Sequence, residues 1–354
     1  MPEAEKQREK SQRSWLANAF LLLLIGVLLL AGAALYLQYQ LTQVSTVPNP
    51  TEFEVLPGWR ARRVASELES SGLIRDARVF VLWLRYQELD RRIGEGLYDL
   101  DPFMSAIEIG EVLAGGGRPR TTRVTIPEGF RARDIASRLE NSGLGSADTY
   151  LELFSEAEGE FPDYLPVENG LEGYLFPASY DIPVKSSSED VLNLLVERFE
   201  QEVTSEISAA LLELELTVHD WVTLASMIQA EAANSEEMPI IAGVFLNRLD
   251  RDMLLQSDPT IAYGLGKDLP ELNAPAGDFE VDHPWNTYTR GGLPLGPIGN
   301  PGSDALGAVL EPQRHNGDGQ AYLYFLHGFE NDQPVFRPNI NLADHNRDVR
   351  RYLR

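Results

Sequence analysis

A run of about twenty uncharged, mostly apolar residues near the N-terminus constrains this chain more than any other feature. Residues 17–37 read ANAFLLLLIGVLLLAGAALYL, which is the length that an α-helix needs to cross a bilayer. Four basic residues precede this run within residues 1–16, and no Lys or Arg follows it until Arg60. Because positive residues mark the cytoplasmic end of a membrane helix, we expect residues 1–16 in the cytoplasm and the remainder outside.

A cleaved signal peptide is the alternative for this segment, with the small residues 31–33 (AGA) as the processing site. The apolar run is longer than the usual h-region of roughly 7–15 residues, which favours the membrane helix. Residues 38–51 are polar and include two prolines, which predicts a short linker.

The charge balance and the lack of cysteine exclude several classes of function. The chain has 54 acidic and 30 basic residues and a net charge of -24, and a nucleic-acid partner would require a basic face. Without Cys there is no disulfide framework, thiolate metal site or cysteine nucleophile. The five His residues leave few ligands for a metal site.

The chain repeats one pattern after the linker. Residues 58–73 (GWRARRVASELESSGL) match residues 129–144 (GFRARDIASRLENSGL). Each copy follows an extended segment, opens at a Gly, continues as an amphipathic helix and ends at Ser-Gly, which predicts a duplicated strand–helix unit. The apolar side of the two helices is expected to contain Val64, Leu68, Leu73, Ile135, Leu139 and Leu144.

This unit resembles LysM-like modules, which bind peptidoglycan glycan strands, and a generic strand–helix packing unit is the alternative. Further helices are predicted over residues 147–156 and 188–214. Between them, residues 171–180 (LEGYLFPASY) form a loop or short strand rich in aromatic residues. The structural alternative for that segment is that its aromatic side chains fill the core beneath a loop.

A predicted helix over residues 218–232 (VHDWVTLASMIQAEA) carries the first candidate for chemistry. Thr217 with Asp220 three residues later is typical of a helix start. Glu231 falls beside the apolar stripe of this helix, where partial desolvation would raise its pKa. A raised pKa is what a general acid needs at neutral pH. A surface Glu near a helix end is the alternative.

The residues that follow alternate between apolar elements and polar loops. A second helix is predicted over residues 236–250 and a strand over 322–326. The loops between them are rich in Asn, Thr, Tyr, Gln and Pro. Amide and hydroxyl groups suit sugar recognition, although the same residues also build ordinary turns.

Six short motifs occur in order within about 80 residues of this region. They are residues 224–232 (LASMIQAEA), 242–249 (AGVFLNRL), 255–260 (LQSDPT), 286–288 (NTY), 292–294 (GLP) and 300–302 (NPG). Together they resemble the MltG (YceG-like) endolytic murein transglycosylases. Residues 171–177 (LEGYLFP) are similar to a further motif of that family, and the resemblance covers nearly everything outside the apolar segment.

The resemblance implies a lyase anchored in the bacterial cell (inner) membrane by one helix, with an extracytoplasmic or periplasmic catalytic domain. Such enzymes cleave nascent peptidoglycan glycan strands between MurNAc and GlcNAc and leave 1,6-anhydro-MurNAc ends. The resemblance implies no metal and no cofactor, and it makes peptidoglycan synthases (penicillin-binding proteins) candidate partners. The catalytic carboxylate of the family, the second acid of a Glu-Lys-Glu motif, maps to Glu231.

The sequence departs from the family pattern at two places. The first acid of that motif is Gln229 here, and residues two apart on a helix point about 200° away from each other. Gln229 and Glu231 therefore cannot face the same bond, and the assignment of Glu231 stands. Residues 177–180 read PASY where the family has Pro-Asp-Thr-Tyr, which puts an acid's role at that place in doubt.

One carboxylate suffices for this reaction because the muramic acid C6 hydroxyl is the nucleophile. Glu231 would protonate the leaving oxygen and then, as carboxylate, accept the C6-hydroxyl proton, while intramolecular attack benefits from proximity. Candidate substrate contacts are polar residues in or near the motifs: Glu172, Asn247, Arg248, Gln256, Asp258, Tyr263, Asn286 and Tyr288.

A structural role is the alternative for each of these contacts. For Asp258 the structural alternative is an Asx turn before Pro259. Arg248 can pair with a peptide-stem or lactyl carboxylate of the substrate, or with Asp258.

The sequence as a whole predicts an α+β fold in which LysM-like units precede a mixed catalytic domain. The expected domains are a LysM-like part over residues 52–122 and a YceG-like catalytic part over 123–354, which includes the second repeat at 123–145.

Two rival functions stay open. One is a non-catalytic glycan-binding scaffold for cell-wall synthases, which does not require Glu231. The other is a conventional muramidase, which needs a second carboxylate roughly 5–10 Å away, and the acids of residues 278–282 are the candidates.

Overall fold

The computed structural model describes residues 2–156, 161–165 and 170–353, in two compact units that meet in sequence at Arg120 and Thr121. The described residues form thirteen α-helices and three two-stranded antiparallel sheets. This mixed architecture agrees with the predicted α+β class at the level of helices and small sheets. The LysM-like identity and the domain limits inside the chain stay predictions.

The first unit begins with helix α1 (Pro2–Gln40). Within it, Phe20–Gln40 is the one segment of the described residues that is long and apolar enough to cross a membrane, and none of it is buried inside the protein. The segment overlaps the apolar run at residues 17–37. Its length and composition are compatible with a single-pass membrane anchor.

The rest of the first unit is one small sheet with three helices. Strand β1 (Thr51–Val55) pairs antiparallel with β2 (Gly96–Leu100). The helices are α2 (Ala61–Ser70), α3 (Ala77–Tyr86) and α4 (Ala106–Ala114). Their buried core includes Val64, Leu68, Phe80, Leu84 and Ile109.

Both copies of the repeat form the predicted strand, turn and helix. The second copy lies in the second unit, as strand β3 (Thr121–Thr125) and helix α5 (Ala132–Asn141). Gly58 and Gly129 open the two turns with φ of +79° and +77°, a conformation that glycine adopts without strain. The six apolar positions predicted to face the core are all buried.

The strands of the two copies pair with partner strands at different distances along the chain. Strand β3 pairs with β4 (Ser179–Pro183), which lies far along the chain at the end of the aromatic segment predicted as a loop or short strand. Strand β1, in contrast, pairs with β2 within its own unit.

The other elements of the second unit are mostly short helices. They are α6 (Ala147–Ser155), α7 (Ser188–Glu200), α8 (Ser205–Glu213), α9 (Val218–Glu231), α10 (Met238–Leu249), α11 (Asp258–Gly264), α12 (Ser303–Leu310) and α13 (Leu342–Tyr352). A third sheet joins β5 (Tyr324–Glu330) to β6 (Gln333–Asn339).

One prediction for this unit is wrong, because residues 188–214 form two helices and not one. Helix α7 ends at Glu200, and Thr204 starts α8 by accepting a hydrogen bond from the backbone N–H of Ile207. Thr at an N-cap satisfies a free donor of the first turn and so favours a new helix.

Helix α9 lies at the centre of the second unit. Its residues from Trp221 to Ile228 are all buried, and α10 and α12 pack against it. The indole N–H of Trp221 donates to the carbonyl of Leu306 at 2.9 Å, which fastens α9 to α12. A helix enclosed in this way holds the residue at its end in a fixed position.

Candidate active site

Glu231 is the last residue of the buried helix α9. The helix starts with a capping box between Thr217 and Asp220, as predicted, and it stops because Ala232 is extended. Gln229 points elsewhere, and its Oε1 accepts a hydrogen bond from the backbone N–H of Gly302 at 3.1 Å. The side chains of Gln229 and Glu231 therefore face different parts of the unit, as the helical spacing predicts.

A hydrogen bond from a serine fixes the Glu231 carboxyl. Ser257 Oγ donates to Glu231 Oε1 at 2.6 Å. The backbone N–H of Ser257 donates in turn to Thr287 Oγ1 at 3.0 Å, so the residues before α11 are tied to the segment that contains Thr287. Two of the sequence motifs, residues 255–260 and 286–288, thus build one support for the acid.

The electrostatic surroundings leave Glu231 close to half protonated near neutral pH. Burial raises the pKa of Glu231 to about 7, and the neighbouring Asp258 adds to the rise. The hydrogen bond from Ser257 and the charges of His327 and Arg248 act in the opposite direction. A carboxylic acid with a pKa near 7 can both give and take a proton at physiological pH.

Glu231 opens onto a cavity of about 660 Å³. Residues of helix α11, strand β5 and helix α13 line this cavity. Its apolar wall includes Leu255, Leu269, Leu326, Leu342 and Val349, and its polar and aromatic lining includes Arg248, Gln256, Asp258, Tyr288, Tyr324, His327 and His345. The cavity is open and large enough to admit sugar rings beside the acid.

Asp258 and Tyr288 form a pair within this cavity. The Tyr288 hydroxyl donates to Asp258 Oδ1 at 2.5 Å. Asp258 is the first residue of α11, preceding Pro259 in the first turn. It is the carboxylate in the cavity lining besides Glu231. Asp278, which the sequence offered as a second acid, is bound instead to Lys267 at 2.7 Å.

Arg248 lines the same cavity, but its donors are directed to the backbone. Its guanidinium donates to the carbonyl oxygens of Leu323 at 2.7 Å and Leu255 at 2.8 Å, and it lies 5.0 Å from the ring centroid of Tyr324. No hydrogen bond or ion pair joins Arg248 to Asp258 in the described residues. Arg248 thereby holds strand β5 next to the end of α10.

Asn247 and Asn286 lie outside the cavity lining. The Asn247 side-chain amide donates to the carbonyls of Arg314 and Tyr322. The Asn286 amide donates to Phe279 and Val281, and its oxygen accepts from the N–H of Tyr288. Both side chains organise the loops that surround the cavity. Their role in substrate contact stays a prediction.

Glu172 and Tyr263 form a separate buried cluster. The Glu172 carboxylate accepts from the N–H of Ala132 at 3.0 Å, from Asn300 Nδ2 at 2.9 Å and from the Tyr263 hydroxyl at 3.4 Å. Burial raises the pKa of Glu172 to about 7. The space beside the cluster is only about 20 Å³, which is too small for a sugar, so these residues tie α5, the Asn300 loop and α11 together.

Several residues of the site did not emerge from the sequence. His327 on β5 lines the cavity, and its Nε2 lies 2.8 Å from Glu237 Oε2. Glu237 also accepts from the N–H of Ala233 at 2.9 Å. Ser257 belongs to the motif at residues 255–260, and the signal for it in the sequence is a hydroxyl directly before Asp-Pro.

No group of three or more His, Asp or Glu side chains is placed to hold a metal ion in the ranges that the structure describes.

The second unit is an α+β scaffold that buries one acid at a helix end beside an open polar cavity. The chain belongs to the YceG-like family, whose model matches residues 53–351. The resemblance predicted from the six motifs is therefore confirmed.

Two curated relatives and one solved structure resemble the chain over most of its length. A Bacillus subtilis protein named endolytic murein transglycosylase is 29% identical over 341 residues, covering 92% of this chain and 91% of that protein. A Streptococcus pneumoniae protein of the same name is 29% identical over 369 residues, and the match spans 95% of this chain and 65% of that longer protein. The crystal structure of a YceG-like protein from Listeria monocytogenes has a TM-score of 0.54 and 27% identity, covering 85% of this chain and 99% of that one.

Proposed function

We propose that the chain is a peptidoglycan lytic transglycosylase that cleaves within nascent glycan strands between MurNAc and GlcNAc. The observation that carries the proposal is Glu231, an acid of pKa about 7 at the end of a buried helix, which lines an open cavity of about 660 Å³. The names of the relatives from B. subtilis and S. pneumoniae support the substrate class. The apolar helix supports a single-pass anchor, and the four basic residues before it favour a catalytic part outside the cytoplasm.

The reaction needs one proton to be delivered and one to be removed. Neutral Glu231 donates its proton to the glycosidic oxygen as the bond from that oxygen to the muramic acid C1 breaks. The C6 hydroxyl oxygen then bonds to C1, and the carboxylate of Glu231 accepts the C6 proton. The product is a 1,6-anhydro ring, and Glu231 ends in its starting state.

The hydrogen bond from Ser257 suits both halves of this cycle. It orients the carboxyl while Glu231 is neutral and stabilises the carboxylate once the proton has left. Gln256, Arg248 and the Asp258–Tyr288 pair line the same cavity and are the proposed neighbours of the sugar. The LysM-like units are proposed to hold the strand, with peptidoglycan synthases as proposed partners.

Mass spectrometry of a glycan digest tests the proposal directly. Full-length protein in a neutral detergent is incubated with uncrosslinked glycan strands, beside the variants Glu231→Gln and Glu236→Gln. Glu236 is an exposed neighbour, so its variant is the matched control. We expect 1,6-anhydro ends from the wild type and the control only.

Two other results would replace the proposal. Reducing ends would mean hydrolysis by a muramidase, with Asp258 as the second carboxylate because it lies in the same cavity. If none of the three proteins cleaves the strands but the wild type still binds them, the non-catalytic scaffold that recruits synthases would be favoured.

A further inference from the structure

The first unit contains a cavity of about 980 Å³ that is surrounded by arginines. Arg60, Arg62 and Arg63 come from the start of α2, Arg85 from the end of α3, and Arg91 from the following loop. All five side chains are exposed. Asp90 is the one acidic residue of the lining, so the cavity has a strongly positive rim.

Most of these guanidinium groups have no partner among the residues that the structure describes. Arg63 forms an ion pair with Glu67. In the part of the chain that the structure describes, the side chains of Arg60, Arg62, Arg85 and Arg91 make no hydrogen bond or ion pair. Free cations are unexpected in a chain with 54 acidic residues and a net charge of -24, because carboxylates are available almost everywhere. Residues 58–93 nevertheless contain eight Arg and five acidic residues.

The backbone adds to the same positive potential. Helix α2 begins at Ala61, and the preceding Arg60 is extended and offers no side-chain cap. The first N–H groups of a helix lack partners within it and attract anions. Gly58 and Ala61 lie in the lining, so this helix start faces the arginine cavity.

The cavity also belongs to the part of the unit that is attached to the apolar helix. Arg75, just before α3, lies 4.7 Å from the ring centroid of Tyr39 and donates to the carbonyl of Gln43 at 2.7 Å. Tyr39 is in the last turn of the segment Phe20–Gln40. Helix α3 is ten residues long, about 15 Å, so Arg85 in its last turn lies no more than about 15 Å along α3 from the end of this helix that is next to Arg75.

We propose that the arginine cavity binds the phosphate group of an anionic membrane lipid. Guanidinium groups bind phosphate oxygens in pairs of parallel hydrogen bonds, more strongly than an ammonium group does. The same helix α3 exposes Leu82 and Tyr86, which we expect to contact the adjoining lipid surface. This site lies in the first unit, and the proposal is independent of the proposed function of Glu231.

The test measures binding of short-chain lipids to the full chain in a neutral detergent by titration calorimetry. The probes are dihexanoyl phosphatidylglycerol, dihexanoyl phosphatidylcholine and inorganic diphosphate. The test variant is Arg62→Gln with Arg85→Gln. The matched control is Arg118→Gln with Arg120→Gln, which changes the charge equally but removes arginines already paired with Asp99 and Glu54.

We expect phosphatidylglycerol to bind at least tenfold more tightly than phosphatidylcholine, and the test variant to lose at least tenfold of that affinity. The control pair should bind as the wild type does, and replacing Arg62 and Arg85 by Lys should restore part of the affinity, which excludes misfolding as the cause.

Three results would overturn the assignment. Equal binding of the two lipids would remove the phosphate specificity that the cavity requires. An equal loss in the control pair would mean that the total charge acts and not the site. Binding of diphosphate without phosphatidylglycerol would make the ligand a soluble phosphate compound.

Discussion

At the scale of single residues, proton transfer by Glu231 depends on a few close neighbours. Burial and Asp258 favour its neutral form, and Ser257, His327 and Arg248 favour its charged form. The balance keeps its pKa at about 7. Helical periodicity predicted the position of this acid, because the contacts within α9 are local. The influence of His327, almost one hundred residues later, arises from tertiary packing that no local pattern records.

Removal of the acid is the first residue-scale prediction. Glu231→Gln should lower kcat by about 10²–10⁴, the range for general acid–base catalysis, without loss of folding, since Gln can still accept the hydrogen bond from Ser257. Glu172→Gln should cost less, because Glu172 lies in the separate buried cluster. Single-turnover assays of anhydro-end formation measure both. An equal loss in the two variants would make Glu172 part of the reaction.

Replacement of His327 is the second residue-scale prediction. The charge of His327 lowers the pKa of Glu231, so His327→Gln should raise that pKa above about 7. A general acid must be protonated, and the alkaline limb of the activity profile should therefore move to higher pH. The pH dependence of kcat/KM measures this, with His315→Gln as the control because His315 is exposed and outside the cavity lining. An unmoved limb would contradict the assignment.

At the scale of elements, close approach of backbones decides where small residues are required. A Cβ atom on Gly243 in α10 would lie 2.3 Å from the carbonyl oxygen of Gln313, whereas at Gly307 in α12 it would meet nothing within 4 Å. The sequence predicted helix α10 to within two residues, but it could not show that another segment lies against Gly243. The same limit explains the division of residues 188–214, because a helical pattern does not reveal the turn at residues 201–204.

This pair of glycines gives a matched element-scale prediction. Gly307→Ala should stabilise the protein by about 0.5–1 kcal/mol, because Ala favours a helix over Gly. Gly243→Ala gains the same propensity but should destabilise by about 1–3 kcal/mol through overpacking against backbone. Urea unfolding followed by tryptophan fluorescence measures both. Equal effects would mean that the segment at Gln313 moves freely away from α10.

At the scale of the whole molecule, two buried acids make stability depend on pH. Burial raises the pKa of both Glu231 and Glu172 to about 7, whereas an unfolded Glu titrates at about 4.3. The folded state thus binds more protons between these values. The stability that each neutral acid contributes is present below about pH 4 and is lost as pH rises through about 7, by at most about 4 kcal/mol each.

The corresponding prediction concerns the unfolding free energy at two pH values. The wild type should lose stability between pH 5.5 and 8, and Glu231→Gln should lose less because one of the two acids is gone. Urea unfolding at both pH values measures the difference, and the exposed Glu236→Gln should follow the wild type. A steeper loss in Glu231→Gln would contradict a raised pKa for Glu231.

The neutral carboxyl at the end of α9 also has a consequence for inhibitors. A basic iminosugar, which imitates positive charge at the anomeric carbon, gains an ion pair with Glu231 only after that acid has lost its proton. The affinity of such a compound should therefore increase from pH 6 to pH 8, while an uncharged sugar analogue binds equally well at both. Screening at a single acidic pH would overlook the cationic compounds that suit this cavity best.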